Sequence, residues 1–139
     1  MKPEQFIREQ GLSEINRILE EAPKHSQFVI PCLDGEMYFS QREDDGKWFK
    51  WSTGYSKWLE YFGRCNPLDL AYSLSDLKRL VESCDMIVRF AYDIEGAKQL
   101  LEFADGCGSI EFKTRTISVE RFKQAIADHE SIYGGGENA

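Results

Sequence analysis

Eight aromatic side chains crowd between residues 39 and 62: Phe39, Trp48, Phe49, Trp51, Tyr55, Trp58, Tyr61 and Phe62, all three tryptophans among them. The same stretch is cationic. Between Gly46 and Arg64, Lys47, Lys50, Lys57 and Arg64 stand against Glu60, a local +3 in a chain of net −7, which leaves −10 on the remainder. Rings beside cations suit two kinds of chemistry. They recur in protein interfaces, where a rigid ring buries much area at small entropy cost. They also stack unpaired bases while lysine neutralises phosphate. A third reading is plain packing, with Phe49 and Trp51 facing a core and Lys50 on the wet side of the same strand. Alternation then puts Trp48 with Lys50 and makes it the tryptophan outside the main core. Trp48, Lys50, Tyr55, Lys57 and Trp58 are the candidate partner-contacting residues.

No other cluster points to catalysis. Glu43, Asp44 and Asp45 adjoin a turn but lack the alternating ligand pattern of a calcium loop, so a solvated turn is expected. His25 and His129 are far apart, the first in a loop and the second on the apolar side of a helix as a partly buried histidine. No serine or cysteine has a G-x-S-x-G setting, and Gly106 and Gly108 precede a strand rather than open a helix, unlike a phosphate loop. Cys32, Cys65, Cys84 and Cys107 include no C-x-x-C pair; they are expected as free, at least partly buried thiols, with no metal and no cofactor. The chain therefore reads as a non-enzyme. An active site assembled from distant residues stays open as an alternative.

The elements that must position the strip follow from local signals. At 139 residues and 42% hydrophobic content, one α+β domain over residues 1–133 is expected, with 134–139 as a disordered tail. Pro3 opens a helix that stops at Gly11; a second carries Leu12, Ile15, Ile18 and Leu19 and ends at Pro23. Residues 27–33, 36–41 and 47–53 read as a three-stranded antiparallel meander, turning at Asp34-Gly35 and Asp45-Gly46. Pro31 places the first strand at an edge or beside a bulge. Residues 54–70 carry no clear pattern. Ser73 and Asp76 form a cap for a helix with an apolar stripe from Leu77 through Cys84 and Val88 to Ala91. A helix over 94–103, a half-buried strand over 109–116 and a helix from Ser118 along Val119, Phe122, Ile126 and His129 complete the chain.

Two offsets recur. At 82 residues, Phe6, Leu12, Ile18, Leu19, Glu20 and Ala22 match Val88, Ile94, Leu100, Leu101, Glu102 and Ala104. At 45, Tyr72, Ser73, Leu77, Lys78 and Val81 match Ile117, Ser118, Phe122, Lys123 and Ile126. These predict a degenerate duplicated helix–helix–strand unit, copy one spanning about 1–72 and copy two about 73–133, with the meander inserted in the first.

The stretch from Gly11-Leu12 to Ala22-Pro23, the strand ending Met37-Tyr38-Phe39, and the helix start Ser75-Asp76-Leu77-Lys78-Arg79-Leu80-Val81 together resemble small uncharacterised accessory proteins of temperate bacteriophages and their prophages. The resemblance implies a bacterial-cell setting and an accessory role, in which such proteins bind and modulate host machinery; it supplies no activity and no functional residues. The polar start, Met1 to Gln10, and the lack of any apolar run near 18 residues lead to an expectation of a cytoplasmic protein with no membrane contact. A host protein is the expected partner. A single-stranded nucleic-acid or DNA-binding regulatory module is the alternative, disfavoured by the net negative charge.

Overall fold

A computed structural model describes residues 2–32, 35–112 and 115–134. The chain is α+β and divides into two compact units, Met1–Lys78 and Arg79–Ala139. In the first, α1 (Pro3–Gln10) and α2 (Leu12–Glu21) are separated by Gly11 alone. Its φ of +86° lets the chain break the helix while its N–H still bonds the Ile7 carbonyl. Strands β1 (Phe28–Cys32), β2 (Gly35–Gln41), β3 (Trp48–Ser52), β4 (Lys57–Glu60) and β5 (Tyr72–Ser73) form one antiparallel sheet in the order β4-β3-β2-β1-β5. The expected meander is its β1–β3 core, and the sheet is larger than expected by one strand on each side.

β4 emerges from the stretch with no clear pattern. β5 is two residues long and pairs only with Phe28 and Val29, so Pro31 lies in the half of β1 that has β2 on one side and no strand on the other. A missing N–H is harmless there. The turn expected at Asp34-Gly35 falls partly outside the described residues, with Gly35 opening β2.

One side of the sheet meets α1 and α2. Val29, Tyr38 and Tyr72 share it by strand parity and are buried. The Tyr72 ring stacks on Phe6 of α1 at 4.3 Å, and the Tyr38 hydroxyl donates to the Ile18 carbonyl of α2 at 3.2 Å. Arg17 pins α2 to the sheet. Its guanidinium holds Glu14 and Glu21 on its own helix and reaches Glu36 of β2 at 2.9 Å. These hydrogen bonds raise the Arg17 pKa and lower that of Glu14.

Helix α3 (Leu74–Ala91) begins in the first unit with Ser73 accepting from the Asp76 N–H at 3.3 Å, and the second unit starts at Arg79 within it. There α4 (Ile94–Phe103) is capped by Asp93, which accepts from the Gly96 N–H at 2.7 Å. The single strand expected over 109–116 is instead a hairpin, β6 (Ser109–Phe112) with β7 (Arg115–Ser118), in register Ile110↔Ile117. Alternation revealed the buried Ile110 but not the reversal, because no glycine, proline or asparagine lies between Phe112 and Arg115. Ser118 caps α5 (Val119–His129), and a π turn carries the helix on to Gly134, the first of the glycines expected to end it. The tail expected at 134–139 lies, beyond Gly134, outside the described residues. Ile87, Ala97, Ile110, Ile117, Val119, Phe122, Ala125 and Ile126 make this unit's core. Val88, assigned to the apolar stripe, is instead 61% exposed. Among the described residues no helix is long and apolar enough to cross a membrane.

Candidate partner-binding site

Strand parity sorts the ring-and-lysine strip. Register Lys50↔Phe39 and Lys50↔Leu59 puts Trp48, Lys50, Lys57 and Leu59 on the side of Phe28 and Phe39, away from α1 and α2. Phe49, Trp51 and Trp58 share the helix side with Tyr38. The alternation expected for Trp48 and Lys50 is therefore present. Trp48 is nonetheless half-buried, its ring 5.5 Å from Phe28 and 6.5 Å from Phe39. Tyr61 meets Phe39 edge-on at 5.2 Å. These rings pack around Phe39, which is buried.

Trp58 packs edge-to-face on Trp51 at 5.5 Å, directly across the β3–β4 pair, and its Nε1 donates to the Lys24 carbonyl at 3.1 Å. An aromatic pair of this kind contributes about 0.5–1.5 kcal/mol beyond its area. It anchors β4 to β3. Tyr55 sits in the connecting turn, 74% exposed, with the Lys57 ammonium 5.8 Å from its ring centroid. The five candidate residues thus do not form one face: Trp48, Lys50 and Lys57 lie on one side, Trp58 on the other, and Tyr55 at the tip.

Residues not singled out in the sequence complete the strip. Phe62 is 81% exposed and Leu59 38%. With Met37, Lys50 and Tyr61 they line a shallow groove of about 560 Å³ over β2–β4. Phe62 was visible as a member of the aromatic run, but its position just past a strand was not, since β4 itself had no pattern. Among the described residues Lys50 and Lys57 have no carboxylate at ion-pair distance, whereas Lys47 reaches Glu60 and Arg42 reaches Asp44 and Asp45. The acidic cluster is thus a turn closed by Arg42 and Lys47, with Gly46 at φ +72°.

The remaining reactive side chains do not converge. His25, in the left-handed region at φ +75°, lines a small cavity with Ser40, Arg42, Phe49 and Trp58. His129 packs its ring 4.9 Å from Tyr133, and burial chiefly lowers its pKa. Among the described residues no three His, Cys, Asp or Glu side chains are grouped to hold a metal ion. The four thiols are free, and the expectation of at least partial burial is corrected at Cys32, Cys65 and Cys107, which are exposed.

Cys84 is buried. Its thiol pKa is pushed up to about 11, first by burial and then by the Asp128 charge. Only the thiolate alkylates readily. Native protein should therefore take up three equivalents of iodoacetamide quickly and the fourth only on unfolding, as read by mass spectrometry. Rapid loss of all four thiols would contradict this burial.

A cluster that sequence reasoning missed lies in the second unit. The Asp128 carboxylate, 3% exposed, accepts from Ser83 Oγ at 2.6 Å, Arg79 Nε at 3.2 Å and Gln124 Nε2 at 2.8 Å. Ser83 Oγ in turn accepts from an Arg121 nitrogen at 3.1 Å. Ser83 is fully buried and unreachable by a substrate, so the network is a clamp between α3 and α5. In comparisons with known proteins the chain matches no family model, no curated protein and no solved structure.

Proposed function

We propose that this chain is a non-enzymatic binding protein that acts on another protein through the strip on β3 and β4. The observation that carries the reading is the juxtaposition of exposed rings, Tyr55 and Phe62, with two cations, Lys50 and Lys57, that have no ion-pair partner among the described residues. A half-buried or edge lysine without a carboxylate is a charge still to be matched, and exposed aromatics are the side chains that dominate interface energetics. The sequence resemblance extends the proposal to a phage or prophage accessory protein working on a host protein in the bacterial cytoplasm.

The proposal also retains an origin by duplication. Element order supports it: α2 moved by 82 residues coincides with α4, and the β5–α3 junction moved by 45 coincides with β7–α5. Ser83 and Asp128, hydrogen-bonded to each other, are themselves 45 apart.

The test replaces Tyr55 with Ala, Lys57 with Glu and Phe62 with Ala together, none of which fills a core. Proteins captured from a bacterial extract by the parent chain are purified singly and titrated against both forms. At least tenfold weaker binding by the triple variant is expected, since an interface that loses two ring anchors and inverts one charge gives up more than about 1.4 kcal/mol. Equal affinities would sink the assignment. Binding of single-stranded nucleic acid that falls steeply with salt would instead favour the base-stacking reading.

A further inference from the structure

The β4 strand lies at the open end of the sheet. The Tyr61 N–H donates to the Trp48 carbonyl at 2.8 Å, which fixes the hydrogen-bonding parity of the β3–β4 pair. In an antiparallel pair, bonded and non-bonded positions alternate. Leu59 and Lys57 therefore bond inward to β3, whereas the backbone N–H and C=O groups of Trp58 and Glu60 point outward. Among the described residues nothing bonds them. Their neighbours on the strip are the unmatched Lys57 and the exposed Leu59 and Phe62.

We infer that β4 accepts an added strand from the protein partner, an extended segment alternating acidic and apolar residues. This rests on the protein-binding reading above. Main-chain bonds to Trp58 and Glu60 supply the docking, and strand alternation dictates the pattern. Residues of the added strand on one side meet Lys57, with Lys50 beyond Leu59, and there carboxylates match the charge. Those on the other side meet the Trp58 ring, and there apolar groups fit. The shortness of β4 and the lysine on it disfavour edge-to-edge pairing with a second copy of the chain.

The experiment uses the full chain, labelled with ¹⁵N, and a capped decapeptide alternating glutamate and valine, with a lysine–valine peptide as control. The acidic peptide should shift the Trp58 and Glu60 amides and slow their exchange with solvent, and the basic peptide should not. Glu60→Pro removes one outward N–H without touching the β3–β4 ladder, and Glu60→Ala removes only the side chain. Glu60→Pro should bind the acidic peptide at least tenfold more weakly, Glu60→Ala within about twofold of the parent, both with unchanged circular dichroism. Equal binding by the two variants, shifts located elsewhere, or protection of the same amides in concentrated protein alone would overturn the proposal. If Glu60→Pro keeps the captured partner while the Tyr55, Lys57 and Phe62 variant loses it, strand addition fails and the protein-binding reading stands.

Discussion

Asp128→Ala is expected to lower the stability of the fold by about 1.5–3 kcal/mol, the range for hydrogen bonds to a charged group, since the Arg79 side chain left behind is 43% exposed and keeps its water. The reason is what stays behind. Ser83 Oγ, fully buried, loses the acceptor for its proton, and the guanidinium of Arg79 loses the carboxylate oxygen it bonds. Arg121, which donates to Ser83, is left next to a hydroxyl that no longer has a fixed orientation. Asp128→Asn keeps the volume but presents an amide N–H₂ or a neutral oxygen where a carboxylate took three donors, and should lose less than alanine. Ser83→Ala removes a single neutral group and should lose about 1–2 kcal/mol. Urea unfolding of the three variants, with a Ser83/Asp128 double-mutant cycle, measures the coupling. An Asp128→Ala loss below about 1 kcal/mol would show that the clamp contributes specificity and not stability.

Phe122→Ala should cost more, about 3–5 kcal/mol, by a different mechanism. Phe122 is fully buried at the centre of the second unit's core, with the Phe90 ring 6.2 Å away at a steep angle and Ile87, Ile110, Ile117 and Ile126 around it. Truncation removes the transfer free energy of the ring and leaves a cavity that helices held by caps at Asp93 and Ser118 cannot easily collapse. Phe122→Leu retains most of the apolar volume and should lose roughly half as much. Thermal unfolding followed by far-UV circular dichroism reads the difference, and near-equal melting of parent and Phe122→Ala would mean the cavity refills.

The contrast between these two residues bears on how the fold is encoded. Phe122 could be assigned to a core from its helical spacing with Val119 and Ile126. Asp128 could not, because nothing in the residues around it indicates that Ser83, on another helix, will face it. The same division runs through the candidate site. Trp48 and Lys50 were placed on one side of a strand by alternation alone. That Trp48 would close over Phe28 and Phe39 depends on strands pairing in one register, and that Trp58 would reach Lys24 depends on the loop between α2 and β1, distant from it in the chain.

By itself the sequence determined where helices start and stop: Pro3 and Gly11, Pro23, Ser73 and Ser118 act through the backbone of their immediate neighbours, so α1, α2, α3, α4 and the start of α5 fall where local chemistry puts them. It also determined the composition of the ring-and-lysine strip. Only the tertiary structure decided that β4 and β5 exist, that residues 109–118 reverse into a hairpin, and which lysines remain unmatched. Strands this short gain no stability alone. They form because a neighbouring strand supplies their hydrogen bonds and a packed face supplies their burial, and both come from residues distant in the chain.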